Sequence, residues 1–402
     1  MKHIYFCTTH PSFSETFVAL EMQSLIDQGE EVVVYGLREP PHDLRPSAPY
    51  LKPPCSRSRL ALWSIPGLWV LITNCVAGLR FHPRSATRLL IAASHAARVR
   101  RVVRRLDGAS TGGVVLHAHF LDRPADVVAM LPRVGAAKLV TVHAADAYKR
   151  SDSALRKWRI ESFDGIICAS DYVRRGLPER QSGIDVIHCG VAVPRGQERL
   201  ITRPLTHVRV CTVARLIPTK NHHYAAAVLE ELVALGMSVE WHVIGRGPME
   251  SWLQRFASAT RRDRLHVVMH GAVTHEQALA LLRATDVMVL PSKAQLPGTD
   301  GIPVALMEAM ASGVLAVSTP VGGIPELIID GVTGVMGEPL DPKGCAASIA
   351  DLLGNPRRMQ AILDGAFEHV RQSFNAQESA AALLSLIHLS VRTDDQLQGA
   401  PR

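Results

Sequence analysis

The 402-residue chain is predicted to be an α/β protein of two doubly wound domains facing a cleft. Three observations predict this. Short apolar, strand-like runs alternate with helical stretches from end to end. The alternation is interrupted once, after Cys189, by "GVAVPRGQERLITRPLTH", which is rich in Pro, Gly and charge. Residues with ligand-type chemistry gather where strand-like runs stop, and ligands of open α/β sheets bind outside the carboxyl ends of the strands.

The first series of strands reads "HIYFCTT" (3–9), "EVVVYGL" (31–37), "VVLHAHF" (114–120), "KLVTVHA" (138–144), "GIICAS" (165–170) and "DVIHC" (185–189). The second reads "VRVCTVA" (208–214), "SVEWHVIG" (238–245), "LHVVMHG" (265–271), "DVMVLPS" (286–292) and "VLAVSTP" (314–320). Nearly continuous apolar strands separated by helices belong in parallel sheets covered on both faces. The domains are expected at 1–190 and 207–375, with a linker at 191–206. Residues 376–402 are expected to form a C-terminal helix and a frayed tail, "TDDQLQGAPR". In "TDGIPVALMEAMASGV" (299–314), Pro303 suits a first helical position, Val304–Ala311 reads as helix, and Gly313 offers its stop.

Composition narrows the function classes. Hydrophobic content of 47% and charged content of 20% suit a soluble protein, and "MKHIYFCTTH" reads as a strand rather than a signal peptide. Seven scattered cysteines without a C-x-x-C argue against a disulfide framework or zinc knuckle and for a reducing cytosol. The net charge of +7 is uneven: residues 1–200 carry 27 Lys and Arg against 18 Asp and Glu. Between Asp43 and Asp107 lie 12 basic residues and no acid. Within this basic and apolar segment, 44–106, "LALWSIPGLWVLITNCVAGL" (60–79) is interrupted by Pro66, Gly67 and Asn74. It reads as helices packed on the domain or lying at a membrane interface, with Trp63 and Trp69 as anchors, rather than as a span. Nucleic acid is disfavoured, because stacking aromatics do not interleave with the basic residues.

The second series carries most of the chemistry. Its first strand runs out at "VARLIPTKN", placing Arg215 and Lys220 above helix N-terminal amides, a suitable site for a diphosphate. The next ends at "VIGRGPM", where Gly245, Gly247 and Pro248 make a tight turn that lets a ligand approach the backbone. "HGAVTHEQ" places Val273 to touch a planar ring with its backbone, and "PSKAQLPGTDGIP" delivers Asp300 and Gly301. Glu308 has apolar neighbours on every side, and a buried carboxylate without a partner is costly, so ligand hydroxyls are its expected partner. In the first series, "HPSFSETFV" (10–18) follows strand one and His143 ends a strand in a T-x-H-x-x-D setting. His117 and His119 alternate along one strand and share a face, but no third metal ligand is spaced to join them.

Together these strand-end residues resemble glycosyltransferase family 4, the retaining enzymes of the GT-B fold with two Rossmann-like domains. The resemblance is dense over 208–350 and thinner before it. "SETF" and the "HAHF…P" strand end are similar to the branch that builds exopolysaccharides such as colanic acid on a polyprenyl-diphosphate carrier at the cytoplasmic membrane face. The resemblance implies that Arg215 and Lys220 bind the donor diphosphate and that Asp300 and Glu308 match the E-x7-E pair. The first acid would approach the donor sugar, and the second would hold the ribose hydroxyls. His143 matches the histidine aimed at the transferred sugar, and Ser14 and Glu15 occupy a loop that is often glycine-rich. Asp300 replaces the usual Glu, and Ala214 and Asn221 stand where glycine is common.

The implied activity is transfer of a hexosyl unit from a nucleotide diphosphate sugar, a UDP-sugar foremost, to an acceptor hydroxyl of a lipid-linked glycan or saccharide. No metal or other cofactor is expected, since no D-x-D precedes the tail. The expected location is cytoplasmic, compatible with peripheral association at the inner membrane face. Three other readings share part of the pattern. A sugar-nucleotide epimerase of the same architecture should carry several acids in the cleft of its first domain. An NAD oxidoreductase lacks its G-x-G-x-x-G after strand one. A membrane-associated scaffold with a degenerate transferase domain would fit the shortened acid at 300.

Overall fold

The computed structural model describes residues 1–8, 16–38, 49–51, 83–109, 113–131, 136–148, 153–178, 183–196, 199–260, 264–294 and 301–398. The chain divides into two compact units, Met1–His188 with Ser379–Arg402, and Cys189–Glu378.

The first unit holds a sheet of order β3-β2-β1-β4-β5-β6-β7. Its strands are β1 (Lys2–Cys7), β2 (Glu31–Gly36), β3 (Tyr50–Leu51), β4 (Val114–His119), β5 (Ala136–Val142), β6 (Gly165–Cys168) and β7 (Ile184–Val186). Every pairing is parallel, with Lys2 opposite both Glu31 and Val114. The period of two divides the side chains between faces. Ile4, Phe6, Leu116 and Val140 pack against helices Pro83–Ala109 and Arg123–Met130. Tyr5, Cys7, Val115 and Leu139 pack with Val18, Met22 and Leu25 of helix Thr16–Asp27. The C-terminal helix Ala376–Gln398 completes this second layer through Ala380, Leu383, Leu384 and Ile387.

The second unit holds a sheet of order β10-β9-β8-β11-β12-β13. Its strands are β8 (His207–Val213), β9 (Ser238–Ile244), β10 (Leu265–Gly271), β11 (Val287–Val289), β12 (Leu315–Ser318) and β13 (Val335–Met336), all paired in parallel. Val208, Val210, Trp241 and Val243 pack on helices His222–Ala234 and Pro342–Gly354. Cys211, Met288 and Ala316 face Leu306, Met307 and Met310 of helix Val304–Ala311. The chain leaves β8 first toward β9 and later toward β11, so the strand order reverses between β8 and β11.

The described residues of the segment expected as a linker pack on the second unit. Val191 N–H donates to Phe374 O at 2.8 Å, Ile201 N–H to Gln360 Oε1 at 2.8 Å and Leu205 N–H to Leu353 O at 2.9 Å. Arg199 pairs with Asp286, whose other oxygen accepts the Arg209 N–H at 2.7 Å. Val191, Ile201 and Leu205 are apolar, and their burial outweighs the Pro and charge content that suggested a linker.

At the centre of this unit the fully buried Trp241 donates its indole N–H to Thr212 Oγ1 at 3.0 Å, and that hydroxyl donates to Val289 O at 2.8 Å. One side chain thus satisfies groups on β9 and β11 from β8. Thr212→Val removes both hydrogen bonds, leaves the buried Trp241 indole N–H without this acceptor and should cost about 1–3 kcal/mol. A lower urea midpoint for the transition followed by Trp fluorescence is the expected readout; an unchanged midpoint would exclude this bridge as a stabilising element.

Candidate functional site

The loops that follow β8, β9 and β10 are stitched into one surface. Ala214 N–H donates to Ile244 O at 3.0 Å, Leu216 N–H to Arg246 O at 2.8 Å, Met249 N–H to Leu216 O at 2.9 Å and Gly245 N–H to Gly271 O at 2.8 Å. Gly245 and Gly247 have φ of +135° and +154°, and a Cβ on either would lie 1.9 Å and 2.5 Å, respectively, from the carbonyl oxygens of Ala214 and Leu216. The two glycines are therefore explained by close approach of the β8 loop, in addition to the ligand approach expected from sequence.

Arg215 is exposed at the start of the β8 loop, whereas Lys220 is buried at the end of the 3-10 turn Pro218–Lys220. Asn221 follows at φ +50° and caps helix His222–Ala234. That left-handed backbone explains why glycine suits the position and why Asn, which tolerates it, can replace glycine. The loop after β11 meets this turn through Lys293 N–H donating to Thr219 O at 2.8 Å. The β8 and β11 loops thus flank the point where strand order reverses, the favoured ligand position of such sheets. His222, which the sequence did not single out, is buried there with no hydrogen-bond partner on either ring nitrogen. Burial, with the Lys220 charge second, lowers its pKa to about 4, so the ring is neutral at pH 7.

Val273 is half-buried between β10 and helix His275–Arg283, whose start is held by a capping box of Thr274 and Gln277. Helix Val304–Ala311 has the expected bounds, with Pro303 as its N-cap rather than its first helical residue, and Gly313 follows its end at φ +66°. Gly301 is partly buried in the approach to that helix; Asp300, Ser14 and Glu15 lie outside the described residues.

Glu308 departs from expectation in one respect: its carboxylate has a protein partner, His275 Nε2, at 2.7 Å. The Glu308 side chain is 14% exposed and that of His275 47%. The two residues are 33 positions apart, so helix periodicity around Glu308 held no sign of the pair. The hydrogen bond raises the His275 pKa above 6.5, against burial that lowers it. A raised folded-state pKa gives stability that is complete below pH 6.5 and lost as the pH rises through the raised value. Solvent screening limits it to about 1 kcal/mol. An NMR titration should place His275 above 6.5 and return it toward 6.5 in Glu308→Gln. An unmoved His275 would exclude the pairing in solution.

In the first unit, strand order reverses between β1 and β4, and a cluster of polar rings lies at that end of the sheet. The turn after β4 places Phe120 at φ +73° and is held by buried Arg159, which donates to Leu121 O at 3.0 Å and to both Asp126 oxygens at 2.6 and 2.9 Å. His143 follows β5, its backbone N–H donating to Asp146 Oδ2 at 3.2 Å. Its ring lies 4.5 Å from Phe120 and 5.1 Å from Phe17, centre to centre, and its Nε2 has no hydrogen-bond partner. Burial, with the His119 charge second, lowers its pKa to about 3, keeping the imidazole neutral at pH 7.

Sequence spacing offers no third ligand beside His117 and His119, but the fold brings one alongside. Glu21, from helix Thr16–Asp27, brings Oε1 to 3.1 Å from His119 Nε2 and 3.9 Å from His117 Nδ1. Sequence spacing could not reveal this third residue, because 98 positions of chain separate Glu21 from His119 and the strand order reunites them. The basic, apolar stretch 60–79 lies outside the described residues, among which no helix is long and apolar enough to cross a membrane.

The two parallel sheets and these strand-end loops define a GT-B fold, and comparison with known proteins shows what the chain is similar to. Residues 207–355 match the family described as "Glycosyl transferases group 1". The chain is similar to the glycosyltransferase WcaL assigned to colanic acid biosynthesis in Salmonella typhimurium, with 34% identity over 51% of this chain and 50% of that one. It is also similar to the amylovoran biosynthesis glycosyltransferase AmsK of Erwinia amylovora, with 33% identity over 45% of this chain and 43% of that one. The matches thus span about half the length of these curated relatives. Among solved structures, Anabaena HepE in complex with UDP and glucose matches 96% of this chain and 99% of its own, at a TM-score of 0.67 and 15% identity. That likeness concerns the fold.

Proposed function

We propose that the protein transfers a hexosyl unit from a nucleotide diphosphate sugar to an acceptor hydroxyl, with retention of anomeric configuration. The observation that carries this reading is the buried Lys220 at the reversal point of the second sheet, beside the start of helix His222–Ala234. Arg215, Lys220 and the first amides of that helix stabilise the diphosphate as negative charge develops on departure. The Gly245 turn and Val273 present backbone to the nucleotide, and Glu308 holds the ribose hydroxyls while His275 orients it. Asp300 and Gly301 meet the donor sugar, and His143 is assigned to the sugar in transit.

UDP is the preferred nucleotide, in keeping with what HepE holds in its solved complex. A lipid-linked glycan of exopolysaccharide assembly is the proposed acceptor, in keeping with the pathways named for WcaL and AmsK. The loop of Ser14 and Glu15 and the basic segment 44–106 would serve acceptor and phosphate binding at the membrane face. Two cations on the diphosphate remove the need for a metal there. No side chain is assigned as a covalent nucleophile, so the acceptor attacks from the face that the phosphate leaves, and the leaving phosphate takes its proton.

Incubation with UDP- and GDP-sugars, with and without polyprenyl-diphosphate-linked saccharides, should release UDP faster when acceptor is present. Failure to bind any nucleotide sugar would overturn the proposal. Binding without release under every condition would reduce the protein to a scaffold.

A further inference from the structure

We propose that Glu21, His117 and His119 form a binding site for a divalent transition-metal ion of the zinc class. Glu21 Oε1 lies 3.1 Å from His119 Nε2 and 3.9 Å from His117 Nδ1, and one ligand atom from each residue lies within 4.8 Å of the others. Tetrahedral zinc with bonds of about 2.0–2.1 Å sets its ligand atoms roughly 3.4 Å apart. Small side-chain adjustments therefore bring the three atoms onto one ion.

The independent observation is the state of His117. Its ring is fully buried, Nε2 meets Thr141 Oγ1 at 2.8 Å, and Nδ1 has no hydrogen-bond partner. If Nε2 carries the proton and donates to Thr141, a bare Nδ1 lone pair faces the Glu21 carboxylate, and the two repel. If Nδ1 carries the proton instead, 3.9 Å is too long for it to reach that oxygen. A cation between them satisfies both groups, and Thr141 then supplies the outer hydrogen bond that holds a metal-binding imidazole in its tautomer. Tyr5 likewise supports the carboxylate, donating its hydroxyl to Glu21 Oε1 at 2.6 Å.

Two imidazoles and one carboxylate select zinc, cobalt or nickel over magnesium and calcium, which prefer oxygen ligands. Three protein ligands leave a fourth position for water or a ligand oxygen. The Glu21 side chain is 18% exposed, so an ion can reach the site from solvent. His143, stacked 5.8 Å from His119, borders the site with its own unpartnered Nε2.

The test uses the full chain without a histidine tag, stripped with chelator and titrated with Co²⁺ alone and then Zn²⁺ alone. Visible ligand-field absorption saturating at one Co²⁺ per chain and displaced by Zn²⁺ is expected. Glu21→Gln and His117→Gln should each weaken Co²⁺ binding at least tenfold. His242 and His270, 2.9 Å apart on β9 and β10, are the competing histidine pair. The double variant His242→Gln, His270→Gln should bind as the wild type does. Absence of stoichiometric Co²⁺ binding, undiminished binding in folded Glu21→Gln and His117→Gln, or loss of binding in the His242/His270 variant would overturn the site. Should the buried variants fail to fold, X-ray absorption of the Zn²⁺ complex of the His242→Gln, His270→Gln variant, which lacks the competing pair, decides. Two imidazoles with oxygen supports the site, and any other protein ligand set overturns it.

Discussion

Lys220→Ala should lower nucleotide-sugar turnover by about two to three orders of magnitude, the loss typical of removing one preorganised charge-stabilising donor. Lys220 is 9% exposed, and its turn ends at Asn221, whose left-handed backbone starts helix His222–Ala234. A cation so placed is already desolvated, so under the proposed function it would act on the diphosphate in a medium where its field is little screened. Arg215 is exposed, and Arg215→Ala should lose less, about tenfold, because water partly replaces its guanidinium. Calorimetry with UDP separates binding from chemistry, and circular dichroism checks that the fold persists. UDP affinity and turnover unchanged in folded Lys220→Ala would remove the diphosphate from this loop.

Gly245→Ala should destabilise the second unit by about 3–5 kcal/mol, from overpacking together with a backbone conformation that L-residues avoid. A Cβ there would sit 1.9 Å from Ala214 O and 3.0 Å from the Ala214 carbonyl carbon, atoms of backbone that cannot rotate away. Moving the β8 loop to relieve the clash would break the hydrogen bonds from Ala214 to Ile244 and from Leu216 to Arg246. Gly236→Ala is the control, since its φ of +94° is also unfavourable but its nearest contact would be 3.9 Å away. Urea denaturation should show a large midpoint drop for Gly245→Ala and a small one for Gly236→Ala; equal drops would mean that φ alone sets the cost.

Particular residues show how far local reading reached. Strand ends were legible because apolar runs, Gly and Pro report backbone geometry within a few residues. Gly313 and the helix before it were placed to within one position for that reason. Asn221 stands where the family resemblance expects glycine, and its φ of +50° supplies the cause. Glu308 was read as an acid in an apolar helix, which holds, but its partner His275 comes from another helix and left no mark nearby. The polar and Pro content of 191–206 predicts a linker, yet Val191, Ile201 and Leu205, with their backbone hydrogen bonds and the Arg199–Asp286 pair, hold its described residues on the second unit.

The order of strands and helices, the two-unit plan and the gathering of ligand-type residues at strand ends all follow from the chain's own succession of side chains. Side-chain period and turn chemistry are local properties, set by backbone stereochemistry over a few residues. Strand order within each sheet, the return of the last helix to the first unit, and the meetings of Glu21 with His119 and His275 with Glu308 were decided by tertiary packing. Burial energy depends on apolar area covered, wherever in the chain the covering residue originates. Partners distant in sequence are therefore chosen only once the layers close.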